Sequence, residues 1–295
     1  MFVHHHQSPI QPGRVAIVGA AGFVGQATVR NLQARGVSVV GITRQDVDLL
    51  ADEAAGRLGS ILRQGDTLVM IAAQAPVKNN AMLVDNLRMM DGVCRVLAGT
   101  PVAQVVYVSS DAVYADSAVT LTESSCAQPA SLHGVMHLAR EIMLAEACKS
   151  PLCILRPTLI YGAKDPHNGY GPNRFRRLAE EGKEIVLFGE GEERRDHVYI
   201  DDVAEIVARC TTHRSEGVLN IATGRVASFR EIAEKVAALA PIAPIIRSSP
   251  RNGPMPHRGY RAFDASATTR AFPDFNYTPL ERGLEFSRAQ EFQNG

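Results

Sequence analysis

The sequence is poor in aromatic residues and has no excess charge of either sign. Aromatics make up 6% of its 295 residues, tryptophan is absent, and 31 basic residues balance 31 acidic ones. A net charge of zero argues against a protein that binds nucleic-acid phosphates over a broad surface. Hydrophobic residues still make up 45% of the chain, which is typical of a soluble globular protein with a full core.

Long apolar runs and paired cysteines are also missing. No apolar run reaches the roughly 18–20 residues of a membrane-spanning helix, and the N-terminus lacks the basic-then-apolar pattern of a secretion signal. Five cysteines are scattered without a C-x-x-C pair, so we expect a cytoplasmic protein with no membrane partner. The consecutive His4, His5 and His6 could bind a metal, but a flexible tail is the interpretation that we favour.

Short apolar strands alternate with helices through the first half of the chain. Predicted strands cover 14–18, 37–42, 68–72, 104–110 and 152–156, and predicted helices cover 23–35, 80–97 and 132–147. Continuous apolar strands separated by helices are typical of a parallel sheet covered on both faces. Right-handed crossovers then make the sheet doubly wound. We therefore predict an α/β fold of the Rossmann type.

The sequence changes character after Pro157. A loop rich in glycine, proline and asparagine covers 163–172, and the proline-rich stretch 241–257 is predicted to be irregular. Between them we predict helices over 174–181 and 201–211 and a strand over 185–188. We assign 12–160 to a dinucleotide-binding domain, with contributions from about 190–225, and 161–295 mainly to a smaller substrate-binding lobe.

A glycine-rich turn joins the first strand to the first helix. In VAIVGAAGFVG, Gly19 permits a tight turn, Gly22 lets the backbone approach a pyrophosphate, and Gly25 lets the helix pack close to the strand. Phe23 and Val24 open the helix, whose free N–H groups would face the phosphates. In the context of a first strand and a first helix, this turn predicts a dinucleotide site.

Several further stretches carry a family resemblance along nearly the whole chain. They are IAAQAPV, VVYVSSDAVYAD, LRPTLIYGAKDP, GEGEERRDHVYIDDVAEIV and NIATGRVASFREIAEKV. Together with the G-x-x-G-x-x-G spacing, they resemble the extended short-chain dehydrogenases/reductases, in the branch of NAD-dependent epimerases/dehydratases that act on nucleotide sugars. The resemblance implies a nicotinamide cofactor, a nucleotide-sugar-like substrate and a homodimer built from the helices near 80–97 and 132–147.

The resemblance also implies which residues lie beside the cofactor. They are Ala72 and Ala73 at the end of the third strand, Asn86 in the next helix, and Pro157. At the end of the second strand, Thr43 and Arg44 stand where NAD-preferring folds carry an acid. Because a guanidinium suits a 2′-phosphate, we favour NADP over NAD, although Asp46 or Asp48 could still reach the ribose or adenine.

The catalytic motif departs from the family pattern. The family uses a serine with a Y-x-x-x-K pair; here Ser110 matches the serine, but His133 and His137 stand at the tyrosine and lysine positions. Neutral His133 could carry a proton near pH 7, because histidine titrates at about 6.5. His137 lies on the same helix face and could donate to the ribose, and the two rings would titrate jointly.

Two other interpretations of the histidine pair stay open. The chain could keep the fold and cofactor without redox catalysis, as a regulatory or partner protein, or act as a non-redox isomerase or lyase. Histidines four residues apart on a helix can also share zinc. Because HGVMH lacks the glutamate of H-E-x-x-H, we predict no metal.

On the substrate side, the resemblance implies that Arg195 contacts a diphosphate. It places Asn173 near the nucleotide and Val113 and Tyr114 along the sugar pocket. Arg251, Arg258 or Arg261 could complete a phosphate clamp, and we select Arg261. Asp196, Asp201 and Asp202 are expected to cap and orient local structure. We predict an NAD(P)-dependent epimerase, dehydratase or ketoreductase with an atypical Ser-His-His site.

Overall fold

A seven-stranded sheet forms the centre of the computed structural model, which describes residues 1–292. The strands are β1 (Val3–His4), β2 (Val15–Val18), β3 (Val39–Ile42), β4 (Thr67–Met70), β5 (Gln104–Val108), β6 (Leu152–Pro157), β7 (Leu159–Tyr161), β8 (Ile185–Phe188), β9 (Arg194–Tyr199), β10 (Ser215–Ile221), β11 (Val226–Ser228), β12 (Ile246–Ser249) and β13 (Tyr260–Arg261). The helices are α1 (Phe23–Ala34), α2 (Ala54–Ile61), α3 (Asn80–Gly99), α4 (Leu132–Ala147), α5 (Pro172–Glu180), α6 (Ile200–Thr212), α7 (Phe229–Leu239), α8 (Ser266–Ala271) and α9 (Leu280–Phe292).

The central sheet has the order β1-β10-β6-β5-β4-β2-β3. Its strands are parallel except β1, which pairs antiparallel with β10. From β2 the chain proceeds first to β3 on one side and then to β4 on the other, so the strand order reverses beside β2. In open α/β sheets, ligands bind outside the carboxyl ends of the strands at such a reversal.

Helices cover both faces of this sheet, because its strands are apolar on both sides. Residues of α2, α3 and α4 form one buried core with β2, β4 and β5, while residues of α1 and α6 form a second core on the opposite face. The predicted doubly wound α/β fold is confirmed. Two elements from the later part of the chain add to this fold. Strand β10 joins the large sheet, and helix α6 packs on one of its faces.

A smaller lobe follows β6 along the chain. It contains a four-stranded sheet of β7, β9, β11 and β13, a parallel pair of β8 and β12, and helices α5 and α7 packed on each other. Its core includes Tyr161, Phe175, Ile185, Tyr199 and Phe229. The division into two domains near residue 160 stays a prediction.

The structure corrects two predictions about the segments that lack a strong pattern. The stretch 241–257 is not wholly irregular, because Ile246–Ser249 pairs with β8. The N-terminal histidines are not a free tail. Val3 and His4 pair with Glu216 and Ser215, and the His4 ring contacts Ser215 Oγ at 2.8 Å. Within the described part of the chain, no helix has the length and apolar character needed to cross a membrane.

Candidate functional site

A cavity of about 830 Å³ opens at the carboxyl ends of the parallel strands, where the strand order reverses. It is lined by the glycine turn after β2, the end of β3, the loop after β4, the turn after β5, the start of α4 and the loop after β7. Of the sequence-predicted residues, it contains Gly19, Gly22, Phe23, Val24, Thr43, Arg44, Ala72, Ala73, Ser110, His133, His137, Pro157, Asn173 and Arg195.

The glycine turn is built so closely that side chains are excluded from it. Gly19 has a φ of +96°, and a Cβ there would lie 2.7 Å from the backbone nitrogen of Ala72. A Cβ on Gly25 would lie 2.1 Å from the carbonyl oxygen of Gly19. Helix α1 begins with no side-chain cap, so its first N–H groups are left for a ligand. The turn has the shape and the donors that a pyrophosphate requires.

The end of β3 presents one guanidinium and two carboxylates. Thr43 donates to the Asp46 carboxylate from its backbone nitrogen at 2.8 Å and from its hydroxyl at 2.7 Å. These bonds hold the pKa of Asp46 below its usual value. Arg44 pairs with Asp48 at 3.1 Å, and its side chain is 78% exposed. Arg44 therefore lines the cavity as part of an exposed ion pair, and a ligand phosphate could replace Asp48 as its partner.

Asn86 does not line the cavity and instead holds the loop that does. Its buried amide accepts from Gln74 N at 2.9 Å and donates to Gln74 O at 3.0 Å and to Met82 O at 2.8 Å. The two bonds to Gln74 attach the loop after β4, which carries Ala72 and Ala73, to helix α3, while the bond to Met82 lies within the helix. The role that the structure gives Asn86 is to support the cavity wall.

Ser110, His133 and His137 all line the cavity. Ser110 lies just after the end of β5, and its Oγ accepts a hydrogen bond from Ala112 N at 3.1 Å. Helix α4 approaches this turn closely, because a Cβ on Gly134 would lie only 2.1 Å from Ala112 O. The rings of His133 and His137 meet edge to face, with centroids 4.7 Å apart.

Both histidines are neutral at pH 7. Burial lowers the pKa of His133, with His167 adding to the effect and Asp111 opposing it. Burial lowers the pKa of His137 still further, helped by His133 and by Arg140. The described residues contain no cluster of three or more metal-ligating side chains, and Nδ1 of His137 already contacts the Tyr107 hydroxyl at 2.9 Å.

A buried ion pair fixes α4 against the sheet just below the histidines. Glu141 accepts from Arg156 Nε at 3.0 Å and Nη2 at 2.5 Å, and from Ser109 Oγ at 2.5 Å. Ser109 and Arg156 belong to the ends of two adjacent strands. The pair thus sets the distance between α4 and the strand that leads into Ser110.

The substrate-side predictions divide into residues inside and outside the cavity. Arg195 lines it and pairs with Glu193 at 3.3 Å. Asn173 also lines it, although its amide accepts from Gly162 N at 3.0 Å. Val113 and Tyr114 do not: they lie in a separate small core, and the Tyr114 hydroxyl donates to Asn220 at 2.7 Å. Their expected place in the sugar pocket is not where the structure puts them.

Arg261 is also not placed as a phosphate ligand. Its guanidinium donates to the Asp111 carboxylate at 2.9 Å, to the Asp111 carbonyl at 2.6 Å and to Asp116 at 3.3 Å, with further contacts to His257 and the Tyr114 carbonyl. Most of its N–H groups thus have oxygen acceptors, so Arg261 stabilises the turn after Ser110. Arg251 does not line the cavity either, and it contacts Glu193 at 3.9 Å and Glu192 at 3.8 Å.

The aspartates near β9 have structural roles that differ in detail from the prediction. Asp196 accepts from Thr158 and Thr223 and so orients the strand ends. Asp202 is not a cap, because α6 begins with Tyr199 as its N-cap. Asp202 instead accepts from Thr278 N and Oγ1, both at 2.8 Å.

Sequence reasoning missed Tyr107 and Arg140. The signal was present, because Arg140 lies three residues after His137 on one helix face, and Tyr107 shares a strand face with Ser109. Tyr107 lies in the VVYVSSDAVYAD stretch and Arg140 in α4, but it is packing that reveals that both contact the His137 region.

Comparison with known proteins agrees with this geometry. Residues 15–222 match the model of the NAD dependent epimerase/dehydratase family. A UDP-glucose 4-epimerase from Thermotoga maritima, solved with UDP-glucose, is 20% identical with a TM-score of 0.85, and the match covers 95% of this chain and 99% of that one.

Two further solved structures are similar across nearly their full length. A UDP-glucose 4-epimerase from Thermus thermophilus, complexed with NAD, is 23% identical, with a TM-score of 0.79 and coverage of 96% and 99%. A GDP-L-fucose synthetase from Naegleria fowleri bound to NADP is 17% identical, with a TM-score of 0.81 and coverage of 98% and 96%. At these identities the likeness to solved structures establishes the fold.

Proposed function

Since this chain belongs to the NAD dependent epimerase/dehydratase family, we propose that it binds a nicotinamide dinucleotide in the cavity beside β2 and acts there on a nucleotide sugar. One observation carries the proposal: a single cavity joins the glycine turn to Ser110, His133 and His137. The similar structures that were solved with NAD, NADP or UDP-glucose support the same ligand classes.

The residues present fit a dinucleotide. Gly19 and Gly25 let the turn and the start of α1 pack closely against the backbone of Ala72 and of Gly19, and the uncapped start of α1 supplies N–H donors for a pyrophosphate. Thr43 and Arg44 would face the adenosine ribose, and Ala72, Ala73 and Pro157 would line the path to the nicotinamide. When bound, the nicotinamide ring supplies hydride transfer to or from a sugar carbon.

The chemistry proposed for this chain's own residues is proton transfer and polarisation of the reacting oxygen. Since Ser110 Oγ accepts from Ala112 N, its hydroxyl proton is free to be donated to a substrate oxygen. His133 is neutral because burial lowers its pKa, so it can accept a proton from a sugar hydroxyl and return it in the reverse direction. His137 completes the site as a neutral neighbour of His133.

Arginines near Glu193 are proposed to hold the diphosphate of the substrate. Arg195 lines the cavity and pairs with the buried Glu193 carboxylate, while Arg251 contacts both Glu193 and Glu192. A guanidinium fork binds paired phosphate oxygens well. The sugar would then lie between Arg195 and the Ser110–His133 region.

The first test of this function is a binding titration. The chain has no tryptophan, so the emission of NADH or NADPH can be followed without interference. We expect both to bind, with NADPH favoured, and Arg44→Ala to weaken NADPH binding about tenfold while changing NADH binding little. Absence of binding by either dinucleotide would rule out the proposal.

The second test is turnover with UDP-, GDP- and dTDP-sugars. His133→Ala should lower kcat by about 100-fold or more, the range of a lost general base, and leave the cofactor Kd within about threefold. His5→Ala, at an exposed histidine far from the cavity, is the control. If His133→Ala retains full turnover, another group carries the proton.

The missing tyrosine and lysine favour a second candidate function, a cofactor-binding protein without redox catalysis. In that case the parent binds NADPH but turns over none of the sugars, and the double variant His133→Tyr/His137→Lys gains activity. If the parent is active and the double variant is not, the histidines are a working replacement.

We also propose a homodimer through α3 and α4. Val84 on α3 and Val135 and Ile142 on α4 are exposed apolar side chains, and Ile142 is 62% exposed. Covering such residues stabilises association. Sedimentation analysis should give a dimer for the parent and a monomer for Ile142→Glu.

A further inference from the structure

The Tyr107 hydroxyl is a buried group that the proposed chemistry does not yet use. Tyr107 lies in β5, is fully buried, and contacts Nδ1 of His137 at 2.9 Å. Burial raises the pKa of Tyr107 to about 12, so the phenol keeps its proton at neutral pH. No other hydrogen-bond partner of this hydroxyl lies among the described residues.

This contact selects one tautomer of His137. If His137 carried its proton on Nδ1, it would donate to the Tyr107 oxygen and leave a buried O–H without an acceptor, which is unfavourable. If Tyr107 donates to Nδ1, every proton in the contact has an acceptor. The proton of neutral His137 then lies on Nε2, the ring nitrogen left for a ligand, since His137 lines the cavity.

Arg140 is a buried cation without a carboxylate partner. Its Nη2 donates to Ala72 O at 2.8 Å, its Nη1 contacts Met136 Sδ at 3.7 Å, and its Nε has no partner. Its guanidinium carbon lies 5.4 Å from the centre of the Tyr107 ring. No acidic group in the described part of the chain pairs with it. A buried unpaired charge costs several kcal/mol, so stability alone does not account for it.

The position of Arg140 gives it an electrostatic effect on His137. It lies three residues further along the same helix face, and its charge lowers the pKa of His137. The other groups that face this region are His133 on α4, Tyr107 on β5 and the Cys94 thiol on α3. None of them carries a negative charge at neutral pH. The nearby carboxylate is Glu141, four residues after His137 on α4, which acts on Tyr107, but its oxygens accept from Arg156 and Ser109.

We propose that Tyr107 and Arg140 are positioning residues that hold His137 as a neutral donor with its proton on Nε2. The proposal rests on the proposed function, because the acceptor for that proton is a hydroxyl of the cofactor ribose or of the substrate. His137 then does with a neutral N–H what the family pattern does with a charged lysine. Arg140 also ties this region to the cofactor loop through Ala72 O.

The test uses the full chain labelled with ¹⁵N-histidine. In the parent at pH 7, the NMR signals of His137 should show a protonated Nε2, with and without NADPH. Tyr107→Phe should give a mixture of tautomers and weaken NADPH binding about three- to tenfold, the range of one hydrogen bond. Tyr161→Phe, at another buried tyrosine in the lobe core, should leave both readouts unchanged.

A second variant separates a positioning role from a structural one. Arg140→Met removes the buried charge, so we expect a higher Tm together with a raised pKa of His137 and weaker NADPH binding. Arg140→Lys keeps the charge and should keep the pKa of His137 low. A lower Tm with unchanged His137 signals in Arg140→Met would overturn the proposal, as would a parent His137 protonated on Nδ1.

These readouts do not depend on turnover. If the parent binds no dinucleotide, the proposed function fails while the tautomer of His137 is still measured. If the dinucleotide binds and His137 has the other tautomer, the function stands and this inference fails.

Discussion

At the scale of single residues, the proposed function depends on small side chains and on neutral ones. The glycine turn packs closely against the neighbouring backbone because Gly19 and Gly25 carry no side chain, and burial favours the neutral form of the two histidines by lowering their pKa. The sequence identified both groups of residues. It did not reveal that Tyr107 selects the hydrogen-bonding state of His137, because that contact joins residues 30 positions apart.

Gly22→Ala is expected to separate ligand binding from folding. The backbone of Gly22 is extended, with a φ of −75°, and a Cβ would lie 3.3 Å from Gly19 O. The protein should therefore tolerate alanine with only a small loss of Tm. The added methyl would occupy the space of a pyrophosphate, so the Kd for NADPH should rise at least about tenfold, or about 1.4 kcal/mol.

The control for this variant is Gly13→Ala, because a Cβ there meets no atom within 4 Å. It should change neither the Tm nor the Kd. Unchanged NADPH affinity in Gly22→Ala would mean that the dinucleotide does not lie against this turn.

At the scale of elements, the site depends on how α4 is held against β5 and β6. Gly134 lets the start of the helix approach the turn after Ser110, and Glu141 binds Arg156 and Ser109 two turns further along. The predicted bounds of α4 were confirmed at 132 and 147. The buried ion pair was not predicted, because it joins Glu141 to residues at the ends of two strands that only packing brings together.

Glu141→Ala should strongly destabilise the fold. It leaves the Arg156 guanidinium buried without its carboxylate, which typically costs about 3–5 kcal/mol in the free energy of unfolding. Urea denaturation followed by circular dichroism measures this loss. Glu146→Ala, at an exposed position of the same helix, should cost less than about 0.5 kcal/mol. Equal stability of the two variants would show that the pair does not anchor α4.

At the scale of the whole molecule, several buried histidines make the fold sensitive to acid. Burial and the nearby Arg195 lower the pKa of His197 to about 3, and burial also lowers the pKa of His133 and His137. The unfolded chain binds more protons than the folded one below pH 6.5, so stability falls as the pH falls. Asp202 has the opposite effect on stability below pH 6. Burial raises its pKa to about 6, so the folded chain binds this proton more readily than the unfolded chain and gains stability as the pH falls.

The free energy of unfolding should therefore decline between pH 6.5 and about 4. His197 alone contributes a slope of about 1.4 kcal/mol per pH unit there, because it binds one proton on unfolding. His197→Phe should reduce the slope by that amount in urea denaturation series, and it should leave the slope above pH 7.5 unchanged. An unaltered slope at pH 4–6 would mean that His197 is protonated in the folded state.

The sequence by itself determined the sheet, the glycine turn and the identity of the residues at the catalytic positions. Apolar periodicity and glycine spacing are local signals, and they predicted the strands of 14–18, 104–110 and 152–156 close to their observed bounds. Weak local patterns were missed, including α2 and the short strand β1.

Only the tertiary structure decided which polar groups face the cavity and which are already paired. The sequence offered both Arg195 and Arg261 as phosphate ligands. In the structure Arg195 lines the cavity, whereas Arg261 donates to Asp111 and Asp116. The packing of elements that are distant in sequence determines which groups form hydrogen bonds, so a local sequence pattern does not predict the partners. The same reason explains why Arg140 lies buried beside His137 without a carboxylate.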